Sequence, residues 1–329
     1  MNRLFRWDQM GLFLLALAAG ILPFAVPEVC AAALREGLTL CSGPLLLSLF
    51  PFLVVSRLLI QCPESDLLAL PFRLAAWGIG IRTPCAARVL CIGFLGGFAP
   101  AASAAAQAVR TGQLTAEEAD ALLPACICSG PSFVVLTVGQ SLLGSAELGV
   151  LLFASQITAN YLTAALLNRF AGVRSVKPES AAPASPAPPR LDEILADAAI
   201  TYCKLCGFIL FFRMLAAGAG ALLPAGAGTL CAILLEVCSG CDLASRTGRW
   251  GSLLCCAALS VQGLSVLLQV RTICPPEMTL RPLYRARMLH LPLSLALFYL
   301  LLPGGEADVF STLPARVLLM RRVPPDCAL

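Results

Sequence analysis

One carboxylate, Glu236, stands inside the apolar run AILLEVCSG. At the centre of a bilayer a charged side chain costs about 2.5–3.5 kcal/mol on insertion scales, so it faces a cavity or a partner. Other polar residues cut apolar runs in the same manner. They are Ser129, Gly130, Pro131 and Ser132 in CICSGPSFVV, Ser239 and Gly240 just after Glu236, and Gln262, Gly263, Ser265 and Gln269 in SVQGLSVLLQ. Glycine supplies backbone freedom, and proline lacks an amide donor and clashes with the carbonyl four residues back, so each stretch can unwind a helix locally. Unpaired backbone groups in hydrocarbon cost several kcal/mol each and persist only when buried in protein or beside a watery cavity. The chemistry open to these residues is therefore binding. Freed N–H and C=O groups, with Ser, Gln and Glu side chains, can hold a small solute at mid-membrane, as discontinuous helices do in secondary transporters. The alternative is that Gly and Ser only allow helices to pack closely. Arg57 in PFLVVSRLL and Arg213 in FILFFRML are each the one arginine of an apolar helix. They are placed to neutralise Glu236 or attract an anion, or else to extend to the membrane interface.

Such residues need helices in lipid to position them, and the composition requires a membrane. Of 329 residues 58% are hydrophobic and 13% charged, against about 45–50% and 25% in soluble domains. Arginine carries nearly all the positive charge and lies between the apolar runs, the distribution of loop and interface anchors. A net charge of +4 without a compact basic stripe excludes a nucleic-acid partner. The lipid bilayer is the partner that composition requires.

The fold class expected is an all-α polytopic membrane protein, with about eight to nine transmembrane or re-entrant helices in two weak repeats with broken helices. Apolar runs long enough to be spans cover 10–27, 43–61, 86–108, 121–144, 146–167, 195–218, 224–239, 251–270 and 287–303. The first is read as a retained span rather than a cleaved signal peptide. Residues 66–80, with Arg73 among apolar residues, read as an interfacial or re-entrant helix. The Pro/Ala/Ser-rich stretch 171–190 is a linker. It divides an N-terminal membrane repeat (1–170) from a C-terminal one (191–303), with a tail over 304–329. The repeat is carried by order: the Arg57 helix answers the Arg213 helix, GFLGGFAPAAS answers LLEVCSGCDLAS, and SGPSFVVL answers QGLSVLLQ. Interruptions are thus expected at 96–100, 129–132, 239–240 and 262–265. Positive charge gathers at Arg3 and Arg6, at Arg169, Arg174, Lys177 and Arg190, and at Arg271, Arg281, Arg285 and Arg287. If all three clusters are cytoplasmic, one of 224–239 and 251–270 is re-entrant. Whether the repeats are parallel or inverted stays open.

No enzyme constellation is present: the chain lacks Gly-x-Ser-x-Gly, His-Glu-x-x-His and a phosphate-binding loop. Most of the sixteen cysteines lie in apolar runs, where thiols act as small hydrophobes. The pairs Cys203/Cys206 and Cys238/Cys241 have lipid-like flanks, so no metal or other cofactor is expected. His290 reads as an interfacial residue opening the last span.

From about residue 11 to residue 303 the chain resembles the YlbJ-type sporulation integral membrane proteins, within the nucleoside-recognition (gate) domain group. The resemblance rests on REGLTLCSGPLLLSLFPFLVVSRLL (35–59), GFLGGFAPAASAAAQAVRTGQLTAEEADALL (93–123), CICSGPSFVV (126–135), LLEVCSG (234–240), SVQGLSVLLQV (260–270) and YRARMLHL (284–291). Departures are specific. The family's Asn-rich Thr-Asn-x-Ser-Asn-Pro stretch falls on Ala125–Pro131, which retain Ser129 and Pro131 without the asparagines. Its Glu-Ile-Thr-Asn-Gly falls on Glu236–Gly240. The resemblance implies a role in endospore formation, with a small organic anion, dipicolinic acid first, moved across a forespore membrane. Other sporulation membrane proteins are candidate partners. The alternative is a non-transporting membrane scaffold of the sporulation machinery.

Overall fold

The structure, a computed structural model, describes residues 2–172 and 190–302. The linker of 171–190 and the tail of 304–329 therefore lie almost wholly outside the described residues. Among the described residues every regular element is a helix, with no strand. The first half comprises α1 (Asn2–Ala25), α2 (Pro27–Ser42), α3 (Pro44–Gln61), α4 (Leu70–Gly78), α5 (Pro84–Gly96), α6 (Phe98–Arg110), α7 (Ala116–Cys126), a π-helix (Ser132–Leu142) and α8 (Ala146–Ala171). The second comprises α9 (Leu191–Leu222), α10 (Ala225–Leu235), α11 (Val237–Ser245), α12 (Gly251–Val261), α13 (Gly263–Ile273) and α14 (Arg281–Leu301). Four helical stretches, Pro27–Leu47, Ala146–Ala171, Leu191–Leu222 and Gly248–Ile273, are long and apolar enough to cross a membrane. Phe24, Leu47, Phe170, Met288 and Leu300 are largely exposed on the outer surface, as side chains facing lipid are.

Local sequence explains the element ends. Pro27, Pro44 and Pro84 sit at first helical positions, where a missing N–H is harmless. Thr115 and Glu118 form a reciprocal capping box at the start of α7. Ser145 accepts from the Leu148 amide at 3.2 Å to start α8. One helix is absent from the sequence expectation: α2, whose apolar run is diluted by Glu28, Arg35 and Glu36. It packs along α9, where Gly37 lies against Leu210 and the Cys41 carbonyl accepts from the Tyr202 hydroxyl.

Two of the expected spans fold back on themselves. Gly93 and Ala101 are more than two helical turns apart in sequence, about 12 Å along a straight helix. A Cβ on Gly93 would nevertheless lie 3.2 Å from the Ala101 Cβ. So α5 and α6 form a hairpin with its tip at Gly97. Likewise a Cβ on Gly240 would lie 2.9 Å from the Cα of Ile233, so α10 and α11 form a second hairpin with its tip at Glu236. The interruption expected at 239–240 therefore moves to Glu236, and Ser239 and Gly240 lie inside α11. The runs 121–144 and 251–270 are instead broken into consecutive helices packed on different neighbours: α12 on α11 and α14, α13 on α6, α9 and α10. The 66–80 segment holds the nine-residue α4, which lies on α5 with Leu74 and Trp77 exposed.

Candidate functional site

Each of the four breaks has its own local cause. At Gly97 the backbone takes φ 80°, ψ −162°, a region open essentially to glycine alone. After Cys126 the chain leaves the helix through Ile127–Gly130 and resumes at Pro131. Pro131 thus starts the following helix rather than kinking one from within, and its missing N–H leaves the Ile127 carbonyl without the donor a continuous helix would give it. Glu236 is extended, at φ −152°, ψ 126°, and its carboxylate accepts from the amides of Cys238 (2.8 Å) and Ser239 (2.7 Å), capping α11. Gln262 and Gly263 both have positive φ, 65° and 70°. The Gln262 side chain holds its own turn by donating to the Leu259 carbonyl at 2.6 Å.

The breaks touch one another in sequence 97–130–262–236. A Cβ on Gly97 would fall 2.6 Å from the Gly130 nitrogen, and one on Gly263 would fall 3.0 Å from the Glu236 nitrogen and the Leu235 carbonyl. Between these two backbone contacts, Gln262 Nε2 donates to Ser129 Oγ at 3.3 Å. Against them lies a cavity walled by Gly96, Phe98, Ser129, Gly130, Ser132, Glu236, Val237 and Gln269. Apolar side chains such as Leu45, Phe133 and Val266 complete it, and Glu236 is its one charged residue.

Five of the residues singled out in the sequence, Ser129, Gly130, Ser132, Glu236 and Gln269, thus share one wall. Pro131, Gln262 and Gly263 build the breaks behind it. Ser265 is buried and accepts from Gln269 Nε2 at 2.9 Å, which orients that amide. The Gln262 and Gln269 Oε1 atoms are buried and have no hydrogen-bond partner among the described residues. Ser239 turns instead toward a neighbouring cavity shared with Glu36, Arg213 and Asp242, and Gly240 serves hairpin packing. Neither arginine forms its ion pair with Glu236: Arg57 pairs with Asp197 and Arg213 with Glu36, each at 2.6 Å. The Glu236 carboxylate is held by charge-assisted hydrogen bonds from two backbone amides. Arg57 instead lines a more polar vestibule with Arg110, Lys204 and Asp197, and this vestibule shares Gln269 with the central cavity.

The sequence reading missed the far side of the breaks. His290 is fully buried rather than interfacial, with Nε2 3.2 Å from the Gln156 carbonyl. Arg287, counted among the loop cations, is buried as well. It donates to the carbonyls of Ile127 (3.1 Å) and Ser260 (3.3 Å) and to Asn160 Oδ1 (3.0 Å). Gln156 donates to Ser260 Oγ at 3.0 Å, and Asn160 Nδ2 to the Ile127 carbonyl at 3.2 Å. The signal was present: Arg287, His290 and Ser294 recur at helical spacing on one face of α14, opposite the Gln156/Asn160 face of α8.

The arrangement can enclose a small solute between backbone groups, two serine hydroxyls, an amide and a carboxylate. Among the described residues no group of three or more His, Cys, Asp or Glu could hold a metal ion. Comparison with protein-family models, with curated proteins and with solved structures finds no significant match.

Proposed function

We propose that this protein is a multi-pass membrane carrier, rather than an enzyme, that moves a small organic anion by alternating access around its broken helices. The observation that supports it is the meeting of all four breaks at one cavity wall. Close packing alone would be served by breaks scattered through the bundle. The elements also recur in order. A long helix, a fold-back hairpin, a broken crossing and a closing helix are α3, α5–α6, α7 with the π-helix, and α8; then α9, α10–α11, α12–α13 and α14. In this reading the hairpins are re-entrant and three crossings per repeat invert the second against the first. Only α9 and α12–α13 then cross between the linker and Arg271, so both positive clusters fall on one face, in accord with the positive-inside rule.

An anion is favoured by the vestibule, where Arg57, Arg110 and Lys204 outnumber Asp197. Past Gln269 the path continues into the central cavity and its Ser129, Ser132 and Glu236 wall. The resemblance to the YlbJ-type proteins makes dipicolinic acid the first candidate and a forespore membrane the setting. The test is uptake of labelled dipicolinate into vesicles carrying the purified protein. Glu236→Gln and Arg57→Ala are expected to abolish accumulation without loss of protein. No uptake by the folded wild type retires the transport reading in favour of a membrane scaffold, which would tolerate both substitutions.

A further inference from the structure

Arg287 lies in α14 with 7% of its surface exposed, and none of the ion pairs among the described residues includes it. A guanidinium this deep needs negative charge from another source. Two of its three acceptors are main-chain carbonyls at broken helix ends. Ile127 closes α7, and its carbonyl has lost its helical donor to Pro131. Ser260 lies in the last turn of α12, directly before the Gln262–Gly263 break. Each helix C-terminus carries roughly half a negative charge, so two of them amount to about one unit, which one guanidinium matches. Asn160 Oδ1 supplies a third oxygen, and Asn160 Nδ2 fixes that amide on the Ile127 carbonyl. Oxygens from unwound backbone and half-helix C-termini are the ligands by which broken-helix carriers hold a coupling sodium ion.

We propose that the Ile127, Ser260 and Asn160 oxygens form a cation site whose occupant is part of the chain. Arg287 holds the two breaks together as a tethered cation, and the protein therefore does not draw on sodium. The site itself stands on the geometry; only the statement about sodium rests on the transport reading.

The thermal-unfolding midpoint of the purified full chain in detergent, in sodium, potassium or choline chloride at equal ionic strength, tests the first part. The wild type is expected to unfold at the same temperature in all three. Arg287→Ala should unfold earlier and regain much of the lost stability in low-millimolar methylguanidinium. Arg287→Met, which fills the space with an apolar chain, should show no such rescue. A wild-type midpoint raised by sodium alone overturns the proposal, as does an Ala variant that is as stable as wild type or is not rescued. Should the Ala variant not fold, Arg287→Lys, which keeps the charge without the planar fork, must lie between wild type and Met. Equal stability of Lys and Met variants would also overturn it. Sodium-dependent uptake in vesicles would overturn the statement about sodium while leaving transport intact, whereas absent uptake with methylguanidinium rescue would retire transport and leave the tethered cation standing.

Discussion

Replacing Gly97 by alanine isolates the contact on which the site's geometry depends. At φ 80°, ψ −162° any side chain is strained by about 1–3 kcal/mol. The added Cβ would also stand 2.6 Å from the Gly130 nitrogen, 3.0 Å from its Cα and 3.1 Å from the Cys128 carbonyl. All three are backbone atoms, which cannot rotate aside. Forcing them apart adds about 1–3 kcal/mol of overpacking, for a total of about 2–6 kcal/mol. Gly112 is the control: its φ is also positive, at 69°, but a Cβ there meets nothing within 4 Å. Gly112→Ala should thus cost only the left-handed strain, about 1–2 kcal/mol. Both free energies can be read from unfolding in mixed micelles titrated with dodecyl sulfate, with dipicolinate uptake measured on the same preparations. Gly97→Ala should be the less stable by about 3 kcal/mol and lose uptake, and Gly112→Ala should keep it. Equal losses for the two alanines would refute the claim that the hairpin tip presses on the second break.

Glu236→Ala removes both acceptors from the amides of Cys238 and Ser239 and should cost about 2–3 kcal/mol, whereas Glu236→Gln, which keeps one oxygen, should cost about 1 kcal/mol; denaturant unfolding of the two variants checks the ratio. At the interface of the π-helix and α8, a Cβ on Gly149 would meet the Val135 Cα at 2.7 Å and the Val135 carbonyl at 2.8 Å. Gly149→Ala should destabilise by about 1–3 kcal/mol and speed hydrogen exchange over 132–142 and 146–150, with the α10–α11 hairpin unchanged.

Three of the four breaks are legible because glycine or proline marks them: Gly97, Gly130–Pro131 and Gly263 fall where the interruptions are expected. The fourth is displaced because Glu236 itself ends α10 and caps α11, and glutamate is not among the usual N-cap residues. Helix α2 escapes a hydropathy reading for a similar reason. Its signals are Pro27 at the start and Gly43 after the end, marks of helix ends rather than of lipid. Arg287 is hidden by its neighbours Arg281 and Arg285, which are exposed and make the stretch look like a loop. Only the spacing to His290 and Ser294 separates it from them. The meeting of Gly97 with Gly130, and of Gln262 with Ser129, has no counterpart in spacing at all. Those contacts arise from how whole hairpins seat against each other, and linear pattern carries no such information.

The order in which the breaks touch decides where the assembly can yield. Gly97 with Gly130, and Gly263 with Glu236, are main chain against main chain, so each pair acts as a hinge pin without slack. Between the two pins the links are side-chain bonds, the 3.3 Å contact of Gln262 with Ser129 and the hold of Arg287 on the Ile127 and Ser260 carbonyls; a neutral hydrogen bond contributes about 1 kcal/mol and one to a charged group about 1.5–3 kcal/mol. Prying the cavity open therefore parts the Gln262 contact first and the Arg287 bridge next, before either pin deforms, and the two pinned blocks swing away from each other with their internal geometry preserved.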